Sequence, residues 1–148
     1  MGFQTGPTPM CFSPPMRTKT VVTLAEARQI LAAARAEAER NKWAVTIAVV
    51  DDGGYLVALE RMDGAILQTA EIATRKAWTA AMLRIPTKAM EDMVKDRPAL
   101  VAFPGQLRVQ GGLPIKVGDE CVGAVGVSGV ASDQDEQVAR AGISALKL

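Results

Sequence analysis

Histidine is absent from all 148 residues of the chain. That removes the commonest general base, the commonest zinc ligand and the usual proximal haem ligand together. Ser-His-Asp and Cys-His catalysis are excluded within the chain for the same reason. Aromatic residues amount to 4%, so the core has to be built from Val, Ile, Leu, Ala and Met. Only two cysteines occur, Cys11 in a proline-rich stretch and Cys121 inside an apolar alternation, without any C-x-x-C spacing. Cys121 reads as a small buried hydrophobe, and a bridge to Cys11 is geometrically unfavourable. No apolar run reaches membrane-spanning length, and the N-terminus lacks the charged and apolar regions of a secretory signal, so a reduced, cytoplasmic setting is expected. The net charge is +1 with both signs interspersed, which gives no electrostatic footprint for nucleic acid or an anionic membrane. Neither a dinucleotide-binding G-x-G-x-x-G opening a helix nor a phosphate-binding G-x-x-x-x-G-K-[ST] loop is present.

What remains is a chain of one-domain length whose local signals are clear. Pro7, Pro9, Pro14 and Pro15 mark a non-helical arm over residues 1–22, expected to be flexible, ahead of a single domain over 23–148. Thr23-Leu24-Ala25-Glu26 has the form of a capping box, and Leu24, Ala27, Ile30, Leu31 and Ala34 share one helical face up to about Asn41. Val45–Asp51 and Tyr55–Met62 read as two strands joined at Asp52-Gly53-Gly54, where glycine supplies positive φ cheaply. An alanine-rich helix is expected over residues 67–84, stopped by Ile85-Pro86, and a shorter one from Thr87 to about Lys95. Residues 96–106 look irregular. Three further strands are expected over 107–110, 113–117 and 120–128, followed by a helix capped by Ser132 or Asp133 and led by Val138, Ala141 and Ile143. The predicted order is α-β-β-α-α-β-β-β-α, an α+β arrangement of antiparallel strands flanked by helices.

The segment from Gln110 to Glu136 is dense in glycine although it alternates like strands. Glycine weakens a strand, so the missing side chains point to close approach by a neighbouring backbone, a helix or a ligand. Lys76 stands on the apolar stripe made by Ile72, Thr79, Ala80 and Leu83. Such a lysine either packs its stem and sends the ammonium to the edge, or is buried and suits a base, Schiff-base or anion-binding role. Glu71 and Arg75 have the spacing of a surface ion pair, and Glu71 is also a candidate for proton transfer. Arg61, near the end of a strand, can fork onto Glu71 or onto a ligand carboxylate. Gly111 and Gly112 expose backbone amides that suit an anion or a flat ligand, or simply form a turn. Asp133, Asp135 and Glu136 are explained first by helix capping, and no set of residues has metal-site spacing.

Taken in order, Val49-Val50-Asp51-Asp52-Gly53-Gly54, Arg61-Met62-Asp63-Gly64-Ala65, Glu71-Ile72-Ala73 with Lys76-Ala77, Gly111-Gly112-Leu113-Pro114-Ile115, Val122–Gly129 and Asp133–Glu136 resemble the GlcG/HbpS family. They are also similar to the C-terminal domain of PduO-type cobalamin adenosyltransferases. The likeness spans residues 23–146. It implies a profilin-like or PAS-like fold with a five-stranded antiparallel sheet, assembly as a homo-oligomer, and binding of haem, another tetrapyrrole or a flat anionic ligand. Lys76 and Glu71 would then be the catalytic candidates, and Arg61, Gly111 and Gly112 the ligand contacts. The alternative reading is a small cofactor-independent enzyme, a tautomerase, lyase or hydrolase acting on a carboxylated catabolic intermediate.

Overall fold

Two hairpins and four helices account for nearly all of residues 15–148, which are the residues that the computed structural model describes. Helix α1 spans Leu24–Arg40, strands β1 and β2 span Thr46–Asp51 and Leu56–Arg61, and helices α2 and α3 span Thr69–Leu83 and Thr87–Asp96. A 3-10 turn at Pro98–Ala102 leads to strands β3, Gly112–Val117, and β4, Glu120–Ser128, and helix α4, Ser132–Ser144, follows. Residues 1–14 of the expected arm, Cys11 among them, lie outside the described residues. Residues 15–22 approach the sheet: the Lys19 ammonium sits 2.5 Å from Asp52, and the Val22 amide donates to the Val122 carbonyl at 2.9 Å.

The local signals act where the sequence puts them. The Thr23 hydroxyl accepts from the Glu26 amide while the Glu26 carboxylate accepts from the Thr23 amide, so two of the four orphan donors of α1 are satisfied. In the β1–β2 hairpin, one Asp51 carboxylate oxygen accepts from the Gly53 and Tyr55 amides at 2.9 Å each, and Gly54 takes φ +83°. Arg84 caps α2 in the left-handed conformation before Pro86 prevents continuation.

The sheet has four antiparallel strands in the order β2-β1-β4-β3, one fewer than expected. The missing strand is Leu107–Gln110. Its backbone is held by side chains in place of a ladder: the Leu107 amide donates to the Thr79 hydroxyl at 2.8 Å and the Gln110 amide to the Glu91 carboxylate at 3.0 Å. Alternation of apolar and polar residues cannot distinguish a strand from an extended segment whose amides find side-chain acceptors.

The two faces of the sheet are filled differently. Ile47, Val49, Val125 and Val127 point to one side, where α1 and α4 cover them with Ile30, Leu31, Ala34 and Val138. On the other side the register places Thr46, Ala48 and Val50 of β1 beside Ser128, Gly126 and Ala124 of β4. This small-residue face receives α2 through Ala73, Ala77 and Ala80. A Cβ on Gly126 would overlap the Ala73 carbonyl oxygen and lie 2.5 Å from the Ala77 nitrogen. The glycine in mid-strand is therefore a seat for a helix backbone, and α2 lies closer to the sheet than side chains would otherwise permit.

Candidate functional site

Because α2 sits so low on β4, a long side chain on its inner face has no room to stand and must run along the sheet. Lys76 is that side chain, on a buried helix face otherwise made of alanine and threonine. Its stem crosses to the end of β4, where the ammonium donates to the Val127 carbonyl at 3.0 Å and to the Asp135 carboxylate at 2.9 Å. Both side chains are 3% exposed. The ammonium therefore does not reach the outer surface, and it is held in an almost fully buried ion pair. The second Asp135 oxygen accepts from the Val130 amide at 3.1 Å, which ties the β4–α4 connection to the same group. Burial raises the Asp135 carboxyl above its ordinary value of 3.8, while the adjacent Lys76 charge and the Val130 amide act in the opposite direction.

The glycine pair belongs to this pair of charges. Gly111 has φ +129°, and a Cβ there would come within 2.7 Å of the Lys76 nitrogen. A Cβ on Gly112 would lie 2.5 Å from the Lys76 carbonyl oxygen and 2.8 Å from the Thr87 methyl group. The Gly112 amide donates to the Thr87 hydroxyl at 2.9 Å, and the Gly111 carbonyl accepts from the Val127 amide at 3.0 Å. Both glycines thus let the entry to β3 close over Lys76.

A cleft of about 420 Å³ opens beside the pair, between the first turns of α2, the 107–109 segment and the β4–α4 connection. Its apolar wall comes from Ile72, Leu107, Val109 and Val130, and its inner end from Lys76, Asp135, Ser128 and Ser132. Glu71 and Arg75 stand at its mouth, paired to each other at 2.7 Å and more than half exposed. The volume falls in the ordinary range for small-molecule sites, ~300–1,000 Å³.

Of the residues singled out in the sequence, Lys76, Glu71, Gly111 and Gly112 meet at this end of the sheet. Arg61 does not. It lines a different hollow of about 490 Å³ with Arg35, Glu39, Glu60 and Asp63. A fork from Arg61 onto Glu71 is not formed, since Glu71 is taken by Arg75. Asp135 and Ser128 are the residues that sequence reasoning missed. Asp135 was explained by helix capping, yet it shares the buried side of α4 with Val138, Ala139 and Gly142. Its spacing to these residues, three, four and seven, was the available signal, because a carboxylate on an apolar face needs a buried partner. The helix begins ahead of either expected cap, Ser132 or Asp133: Ala131 occupies the cap position, and the Gln134 side chain reaches back to its amide at 3.2 Å. Among the described residues no group of three His, Cys, Asp or Glu side chains gathers to hold a metal ion.

Comparison with known proteins gives the family of the chain and likenesses to its fold. Residues 22–144 match the family described as haem degrading protein HbpS-like. Protein GlcG of Escherichia coli strain K12 is 46% identical over 114 residues, which cover 76% of this chain and 85% of that protein. Among solved structures, a double mutant of Streptomyces reticuli HbpS superposes with a TM-score of 0.85 at 36% identity, covering 90% of this chain and 92% of its own. A PduOC crystal structure solved as a haem complex gives a TM-score of 0.80 at 25% identity, covering 86% and 96%.

Proposed function

Because the chain belongs to the HbpS-like family, we propose that it is a ligand-binding protein that takes a carboxylate-bearing ligand, haem or another flat tetrapyrrole included, in the cleft beside Lys76. The observation that carries this reading is the cleft itself, with an apolar wall and a buried, geometrically fixed cation at its inner end. The PduOC relative in complex with haem supports the ligand class. The walls suit the apolar body and acidic arms of such a ligand. They do not suit its iron: His, Met, Cys and Tyr, the side chains that commonly ligate haem iron, are absent from the described lining. The reading extends to a homo-oligomer, supported by the large apolar side chains left exposed at Tyr55, Leu56, Ile66 and Leu67 and at Val101 and Phe103. Titration of the purified apoprotein with haemin tests the ligand class. A Soret shift that saturates at a fixed stoichiometry is expected, and a spectrum matching haemin with an unrelated control protein would refute it.

One observation favours a second reading, an enzyme acting on a small carboxylated intermediate. The Lys76–Asp135 pair at the cleft floor, with Glu71 at its mouth, offers groups able to hold and move a proton beside a bound ligand. A panel of small keto, hydroxy and unsaturated acids assayed with the wild-type protein and Glu71→Gln tests it. Turnover of one acid, lowered by the variant, is the expected result, and no turnover across the panel would discard the enzymatic reading.

A further inference from the structure

We propose that the inner end of the cleft is a pocket for one carboxylate, built from the Ser128 hydroxyl, the third N–H of Lys76 and the first backbone amides of α4; this deepens the ligand-binding reading above and rests on it. Three independent features meet there. Ser128 is 6% exposed, faces the α2 side of the sheet and lines the cleft, and its hydroxyl has no hydrogen-bond partner among the described residues. The fully buried unpaired side-chain atoms among the described residues are Arg108 Nε and Nη1, so the Ser128 oxygen is open to the cleft and free for a ligand group. Lys76 carries three N–H groups, and the Val127 carbonyl and Asp135 use two of them, which leaves one for the cleft that it lines. The 13-residue helix α4 begins at Ser132, on the cleft wall, with alanine at its cap position and no side-chain cap on its first amides. The Ser132 and Asp133 amides have no acceptor among the described residues, and the helix dipole makes that end positive.

The charges already present leave room for an anion. Asp135 is compensated by Lys76 and Glu71 by Arg75, so the lining is neutral overall before a ligand enters. An incoming carboxylate would accept from Ser128, from Lys76 and from the helix amides, and no group would be left buried without a partner. A neutral amide of the same shape would accept through one oxygen and turn its NH₂ donors toward the Lys76 ammonium and the helix amides. The site therefore discriminates by charge at the inner end. The adjoining wall of Ile72, Leu107, Val109 and Val130 asks for a short aliphatic stem on that carboxylate. Two sources have this chemistry, a free small aliphatic acid and the propionate arm of a tetrapyrrole.

The test uses the full chain, labelled with nitrogen-15, titrated with butyrate and separately with butyramide, while haemin binding is followed by absorbance in wild type and Ser128→Ala. Butyrate is expected to shift the Ser132 and Asp133 amides saturably, butyramide to leave them in place, and Ser128→Ala to weaken butyrate by about tenfold with an unchanged far-ultraviolet spectrum. If haemin binds and loses a similar factor in Ser128→Ala, the propionate is the occupant. If butyrate alone responds, the pocket serves a free acid and the haem reading falls while the carboxylate pocket stands. Haemin binding that is indifferent to Ser128→Ala, with no response to butyrate, would overturn the pocket and leave the haem reading intact. Equal shifts with butyramide, or no response to any of the three, would overturn the pocket outright.

Discussion

The Lys76–Asp135 pair gives the sharpest test of how this fold is held at the cleft. Both side chains are 3% exposed and 2.9 Å apart, so neither charge can swing out to the molecular surface if its partner is removed. Removing one partner of such a pair costs about 3–5 kcal/mol, because the remaining charge stays buried and uncompensated. Lys76→Met keeps the length and apolar stem of the side chain, and Asp135→Asn keeps an oxygen for the Val130 amide. The two changes therefore isolate the charges from the packing and from the cap on the β4–α4 connection. Lys76→Met, which leaves behind a carboxylate that burial already disfavours, should lose about 3–5 kcal/mol, a large share of the ~5–15 kcal/mol typical of a natural domain, and Asp135→Asn, which carries the charge of the protonated carboxyl that burial favours, should lose less. The double variant should lose less than the sum of the singles by at least about 2 kcal/mol, since it leaves no lone charge behind. Urea unfolding followed by the fluorescence of Trp43 and Trp78, at one protein concentration and with the slope m checked for constancy, reads all four states. A Lys76→Met loss below about 1 kcal/mol, with the two changes additive within ~0.5 kcal/mol, would mean that the pair is solvated and that the account of the site is wrong.

Two further outcomes follow from the same geometry. Gly126→Ala places a methyl group against the Ala73 carbonyl and 2.5 Å from the Ala77 nitrogen, both backbone atoms, so α2 has to lift and the protein should lose about 3 kcal/mol or more by thermal or urea unfolding; a loss under about 1 kcal/mol would show that the helix is not seated on the glycine. For Asp135 the folded-state value is raised above 3.8, so the native chain binds a proton more readily than the unfolded chain and this group's contribution to stability grows as pH falls through the window just above 3.8. Carboxyl carbon-13 shifts should place the Asp135 midpoint above 3.8, and a midpoint below it would reverse the sign.

Much of the architecture was legible because its signals are local. The capping box at Thr23, the Asp-Gly-Gly turn and the Ile-Pro stop are each decided by a few neighbouring residues, and they mark element ends within a residue or two. The exception, Leu107–Gln110, depends on acceptors from Thr79 and Glu91, residues 28 and 19 positions away. Lys76 was legible as an anomaly on an apolar stripe, and Gly111-Gly112 as a place of close approach. That the glycines make room for Lys76 itself could not be read, since the contact joins residues 35 and 36 positions apart. Arg61 reads in the sequence as a strand-end arginine able to fork onto Glu71 or a ligand carboxylate, and the fold sends it to another hollow.

By itself the sequence determined the family, the α+β class and the positions of the helices and hairpins, because these follow from period, propensity and turn chemistry along the chain. It also determined that any chemistry here would be done without histidine. The tertiary structure decided which of the charged residues meet. Burial, charge pairing and the depth of α2 on the glycine strand are properties of surfaces brought together across 51 and 59 positions, from Lys76 to Val127 and to Asp135. A carboxylate that caps a helix and one that neutralises a buried lysine look alike in sequence, and only the packing of one element on another tells them apart.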